Sequence, residues 1–146
     1  MEKIAHRITG ALSKFFSLEE RRFSQVVIQE PVVSDIISFA KAAYPKEFVA
    51  LLRGSVNKNT LVIDGLIYQH FSASEQSAHM RMDLPLITNV VGSVHSHPAG
   101  NTHPSRADLS FFNKRGFVHV IIGYPYTPDT LSCYDFDGNI VSFEVI

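Results

Sequence analysis

Apolar residues along this chain keep two rhythms, one near the helical period and one that alternates or runs continuously as strands do. Ile4, Ile8, Leu12 and Phe15 or Phe16 recur at helical spacing, with Lys3, Arg7 and Lys14 elsewhere on the wheel. Residues 1–24 are read as a helical extension that packs on the rest of the chain or on a second copy, so a homodimer through this segment is one expected assembly. A membrane-surface helix fits less well, because Glu2, Glu19 and Glu20 interrupt the basic face. Residues 26–29 read as a short strand. Pro31 then opens a helix in which Val32, Val33, Ile36, Ile37 and Ala40 keep the helical period until Tyr44-Pro45. The continuous apolar run at 48–52 suits a central strand. A polar turn at 56–59 leads to a second strand at 60–68, and residues 71–78 lack periodicity and read as a loop. A strand at 79–83 and a helical or turn segment at 84–89 are expected next.

Residues 90–94 form a β-branched run that reads as a buried strand, and 107–115 as a helix stopped by Gly116. The apolar stretch 117–124 predicts another central strand, ended by Pro125. Residues 131–134 and 140–145 flank Asp137-Gly138-Asn139, a hairpin signal. Both kinds of strand with a few helices point to an α/β or α+β fold. With 146 residues and 45% hydrophobic content, residues 25–146 make one domain with enough material for a core.

Charge and cysteine usage narrow the classes. A net charge of −1 and the lack of a long basic run argue against nucleic-acid binding by phosphate neutralisation. Cys133 is the single cysteine, which excludes an internal disulfide and suits a reducing cytosol. No apolar run approaches the ~18–20 residues of a membrane span, and the first residues lead into no signal-peptide core. The expected location is cytoplasmic.

The chemistry concentrates in residues 94–108. His95 and His97 alternate on one strand, so both imidazoles project to the same face roughly 6.6 Å apart along the chain. A turn rich in Pro, Gly and Asn follows, then Ser105 and Asp108 at a helix start. Two nitrogens and one carboxylate, with a fourth position left for water, make the donor set of a catalytic zinc site rather than a closed structural one. Ser105 with a carboxylate three residues on is also a good helix cap. Capping leaves Asp108 free to point outward and does not account for the His-x-His before the turn. His103, inside the turn, is the rival ligand, and the turn surface is its preferred place. Bound zinc would lower the pKa of its water toward ~7, and a carboxylate must then move the proton to the leaving amine. No H-E-x-x-H supplies that carboxylate, and the residues alone leave Glu30, Glu47, Glu75 and Asp64 open. A nucleobase deaminase would need P-C-x-x-C, which a chain with one cysteine cannot provide.

His95-x-His97, seven residues, Ser105, two residues, Asp108 resembles the motif of the JAMM (MPN-plus) zinc metalloproteases, without gaps at any defining position. The resemblance covers about residues 26–146 and is nearest to the small prokaryotic type. It implies a curved mixed β-sheet flanked by helices, related to the cytidine deaminase architecture. It implies one Zn2+ per chain on His95, His97 and Asp108, with Glu47 as the general base. It also implies that Ser105 steadies the oxyanion of the tetrahedral intermediate. The activity implied is hydrolysis of the amide between the C-terminal glycine of a ubiquitin-like modifier and a lysine. Ser72, Ser74, Glu75 and Ser77 in the loop are candidates to contact that substrate. Two other roles stand beside it, an amidase acting on a sulfur-carrier protein and an inactive MPN scaffold. The scaffold fits poorly because every ligand position is filled. RadC-type proteins carry a similar motif, but the weak charge here gives no support for a DNA substrate.

Overall fold

Phe23 is the first residue that the computed structural model describes, and residues 23–68, 89–112 and 116–146 carry the fold set out below. The helical pattern at 4–16, the loop with Ser72, Ser74, Glu75 and Ser77, the strand expected at 79–83, most of the segment at 84–89 and the helix end at 113–115 lie outside the described residues. Strand β1 (Gln25–Ile28) buries Val26, Val27 and Ile28. Helix α1 (Glu30–Ala43) starts with proline in its first turn, where the missing N–H costs nothing, and buries Val32, Val33, Ile36 and Ala40. It stops ahead of Pro45, as the sequence predicts.

Strand β2 (Val49–Asn57) runs further than the apolar stretch 48–52 suggests. Its polar half is held by pairing with β3 (Thr60–Ile67) and by an ion pair of 2.9 Å between Arg53 and Asp64. The turn is therefore shorter than the expected 56–59. It is the two residues Lys58 and Asn59, with φ 47 and 71, the backbone that a tight hairpin with right-handed strand twist requires. Strand β4 (Val90–His97) and helix α2 (Arg106–Phe112) bracket the histidine turn, and β5 (Val118–Gly123) is buried throughout. Strand β6 (Leu131–Asp135) follows a 3-10 turn at Pro128–Thr130.

The hairpin expected across Asp137-Gly138-Asn139 forms, with Ile140 and Val141 antiparallel to β6, but it stops there. Residues 140–145 are two strands, β7 (Ile140–Val141) beside β6 and β8 (Glu144–Val145) beside β1. The order β7-β6-β5-β4-β2-β3-β1-β8 puts these neighbours in sequence at opposite edges of one eight-stranded sheet. The two residues between them reach only about 10 Å, so the sheet must curl until its edges approach each other. The sequence predicts one strand over 140–145, and the closure that splits it is a property of the whole sheet.

The sheet is mixed. β4 pairs with β5 in parallel and with β2 antiparallel, which brings the start of β2 and the ends of β4 and β5 to one rim. One face packs on α1, with Ile36, Leu52, Val94, Val120 and Ile122 in its core. The other face packs on α2 through Phe112, Ile121 and Tyr134. Among the described residues no helix is long and apolar enough to cross a membrane. β4 and β5 approach so closely at Gly92 that an added Cβ would stand 1.6 Å from the Val118 carbonyl oxygen, a backbone atom that cannot turn aside. Gly92→Ala is expected to cost about 3 kcal/mol of unfolding free energy or to prevent folding. An unchanged urea midpoint would contradict that close contact.

Candidate metal centre

The site is assembled at the rim where β4 ends. Strand alternation sends Val94 and Ser96 to the α1 face and His95 and His97 to the α2 face. His95 is only 6% exposed, its ring packed edge-on to Phe111 at 5.1 Å and parallel to Phe112 at 6.2 Å. The turn after His97 is closed by the Gly100 N–H donating to the His97 carbonyl, with Gly100 at φ +88, a conformation that suits glycine. Tyr134 fastens the turn to β6 by donating its hydroxyl to the Thr102 carbonyl at 2.7 Å. The chain then enters α2 through reciprocal bonds. The Ser105 N–H donates to Asp108 Oδ2 at 2.7 Å, and the Asp108 N–H donates to Ser105 Oγ at 3.1 Å. The serine lone pair thus serves the cap while its proton stays available to another partner.

This entry aims Asp108 at both histidines. Its Oδ1 lies 3.7 Å from His95 Nδ1 and its Oδ2 lies 3.3 Å from His97 Nε2. His97 Nδ1 donates to the Asn101 carbonyl at 2.6 Å, which fixes the ring and turns Nε2 toward the carboxylate. Burial lowers the His95 pKa to about 4, against the smaller opposing pull of Asp108, so this imidazole is neutral near pH 7. The hydrogen bond with Asp108 raises the His97 pKa, and burial only partly opposes it. Burial would raise the Asp108 pKa. Hydrogen bonds from His97 and Ser105 outweigh it and hold the carboxyl well below the usual range, hence ionised.

No three His, Cys, Asp or Glu side chains among the described residues already stand around a common ion position, because Asp108 leans directly on the two rings. The donor chemistry nevertheless fits a divalent cation. His95 Nδ1 is buried without a hydrogen-bond partner, and it faces an anionic oxygen too distant to share a proton. A buried ring nitrogen and a carboxylate so placed are both satisfied by a cation between them, with small side-chain shifts.

Glu47 reaches the same rim through strand register. Val49 pairs with His95, the Ser96 N–H donates to the Phe48 carbonyl at 2.9 Å, and the Phe48 N–H donates to Ser96 Oγ at 2.7 Å. One residue further along this antiparallel ladder, Glu47 stands opposite His97 on the same face. It is exposed and precedes β2 rather than lying inside it, and its charge acts on both His97 and Tyr126. The other carboxylates considered for this role sit elsewhere. Asp64 is paired with Arg53, Glu30 follows β1 three strands from β4, and Glu75 is outside the described residues.

His103 is exposed on the turn, its backbone N–H bonded to Asn101 Oδ1. Cys133 is a buried thiol whose pKa burial pushes up to about 12, in keeping with a core role. The ring carbonyl partner Asn101 has no sequence signal, since a backbone oxygen carries none. His119 is fully buried, its Nδ1 2.7 Å from Ser93 Oγ and its ring flat on Phe112 at 4.2 Å. Its Nε2 is buried without a hydrogen-bond partner among the described residues. Burial, ahead of the charge of His95, lowers its pKa to about 4.

That shift has a definite sign. Above about pH 6.5 His119 is neutral folded and unfolded and contributes no pH dependence. Below it the unfolded chain binds a proton that the fold refuses, so stability drops by about 3 kcal/mol as pH falls from about 6.5 to about 4. The difference in unfolding free energy between the wild type and His119→Asn is expected to narrow from about pH 7 to about pH 4.5. A difference independent of pH would contradict the buried neutral ring.

Residues 29–135 match the family model for prokaryotic homologs of the JAB domain. The chain is 37% identical over 127 residues to a probable metalloprotease of Haloferax volcanii, covering 79% of this chain and 78% of that one. Its fold is similar to a solved structure described as JAMM, a metalloprotease-like zinc site in the proteasome and signalosome. That pair has TM-score 0.64 and 36% identity over 84% of this chain and 98% of the other. It is also similar to a JAB1/MPN domain protein from Archaeoglobus fulgidus, with TM-score 0.66 and 37% identity over 82% and 97%.

Proposed function

The chain belongs to the prokaryotic JAB-domain family, the small prokaryotic branch of the JAMM metallohydrolases, and from that premise we propose that it is an isopeptidase for ubiquitin-like modifiers. Its substrate in this reading is the amide between a modifier's C-terminal glycine and a lysine amine. The observation that supports it most is the meeting of His95, His97 and Asp108 at a rim where the β2–β4 register also delivers Glu47.

His95, His97 and Asp108 would hold one Zn2+ per chain. When bound, that ion supplies Lewis acidity, making water acidic near neutrality and the scissile carbonyl more electrophilic. Glu47 takes the proton of the attacking water and returns it to the leaving nitrogen, which an amide needs because a free amide anion is too basic to depart. Asn101 keeps the His97 ring in its binding tautomer through the 2.6 Å bond. Ser105 donates its hydroxyl proton to the oxygen that becomes negative, while its lone pair remains on the Asp108 N–H. Asp108 stays ionised throughout, held so by its hydrogen bonds.

The test is a peptide ending in Gly-Gly, joined through its carboxyl to the ε-amine of a lysine, incubated with the zinc-loaded enzyme and followed by mass spectrometry. Release of free lysine amine and a Gly-Gly carboxylate is expected. An intact amide with zinc demonstrably bound would sink the isopeptidase reading.

A further inference from the structure

Two large aromatic side chains stand in solvent at the rim of the candidate metal centre, and the hydrolysis described above leaves them unused. Tyr44 and Tyr124 are 49% and 51% exposed, yet their rings lie 5.1 Å apart at 30°. Both are backed by Tyr126, which is 1% exposed and meets them at 6.2 Å and 5.7 Å in edge-on contacts. The three rings therefore form a braced, half-exposed wall rather than scattered surface residues.

Their place in the fold ties them to Glu47. Tyr44 follows α1 and precedes Glu47 by three residues, and the Tyr124 N–H donates to the His97 carbonyl at 3.1 Å. The Glu47 charge acts on Tyr126 as well as on His97, so Glu47 lies near both the histidines and this aromatic wall. Resting on the isopeptidase reading, we infer that Tyr44 and Tyr124 form the subsite for the alkyl stem of the leaving lysine. Glu47 must reach the leaving nitrogen to protonate it, which puts the amine side of the scissile bond toward Glu47. The rings stand at the same rim, Tyr44 ahead of β2 and Tyr124 after β5. An apolar four-carbon stem covers aromatic faces well, and the ammonium formed at release is attracted to them. A small or acidic leaving group gains nothing there.

The experiment compares two substrates of the full-length, zinc-loaded enzyme. One is a peptide ending in Gly-Gly linked to the ε-amine of Nα-acetyl-lysine amide. The other is the same peptide linked to glycine amide, which has no stem. Tyr44→Ala and Tyr124→Ala are each expected to raise KM for the lysine-linked peptide about threefold, and the double variant about tenfold, with kcat nearly unchanged. KM for the glycine-linked peptide should not move. Tyr44→Phe and Tyr124→Phe, which keep the rings, should behave as wild type on both. As a measurement independent of folding in the variants, 1-aminopentane should inhibit the wild type at least about fivefold better than methylamine. Equal KM changes on both substrates, no change on either, or equal inhibition by the two amines would overturn the subsite. If the wild type cleaves neither peptide, the isopeptidase reading falls and this inference with it. If it cleaves both and the alanine variants match it, only the subsite falls.

Discussion

Glu47→Gln is expected to lower kcat for the glycine–lysine amide by about 10²–10⁴-fold while leaving bound zinc and thermal stability unchanged. The substitution keeps the shape of the side chain and removes its charge and its ability to take up a proton. Glu47 is exposed and lies ahead of β2, so its removal opens no cavity. The clamp between Phe48 and Ser96, one bond through each backbone N–H, fixes the preceding residue opposite His97. Ser96→Ala should loosen that clamp and reduce kcat more modestly. Full activity in Glu47→Gln would remove this residue from proton transfer and return the role to some other carboxylate.

Asp108→Asn is expected to abolish amide cleavage by abolishing zinc binding, and to destabilise the fold through loss of the charge that His97 and Ser105 stabilise, while the α2 cap is kept. The amide oxygen of asparagine can still accept from the Ser105 N–H, so the reciprocal cap at the start of α2 survives. What disappears is the anionic side chain that stands between His95 and His97. Asp108→Ala should lose the metal equally and cost a further ~1 kcal/mol, since it removes the cap as well. Urea unfolding of the metal-free proteins separates these two effects, and zinc content by elemental analysis reads the first alone. Retention of zinc and activity in Asp108→Asn would show that the carboxylate is not a ligand.

Local chemistry was legible in the sequence wherever local chemistry decides the outcome. Alternation placed His95 and His97 on one face, Pro31 marked the start of α1, and the Ser105–Asp108 spacing foretold the cap that aims the carboxylate. The hairpin residues Lys58 and Asn59 were within the expected turn, although the strand pairing on either side is longer than its apolar run. Long-range features were not legible. The split of residues 140–145 into β7 and β8 depends on a sheet that curls until its edges meet, and no property of Ile140 or Val145 announces this. Glu47 is one of several plausible carboxylates until the register with β4 is known, and the resemblance to a family chose it where composition could not. Tyr44 and Tyr124 are 80 residues apart in sequence and read separately as a helix end and a strand end. Only the parallel pairing of β4 with β5 and the antiparallel pairing with β2 brings both to the rim.

The most direct measurement is an anomalous difference map, collected at the zinc edge, from crystals of the wild-type protein loaded with zinc. The expected result is a single peak per chain in contact with His95, His97 and Asp108, with its remaining coordination open to solvent and Glu47 beside it. A peak enclosed by a fourth protein ligand, or zinc bound elsewhere with these three side chains still leaning on one another, would contradict the metallohydrolase centre proposed for this rim.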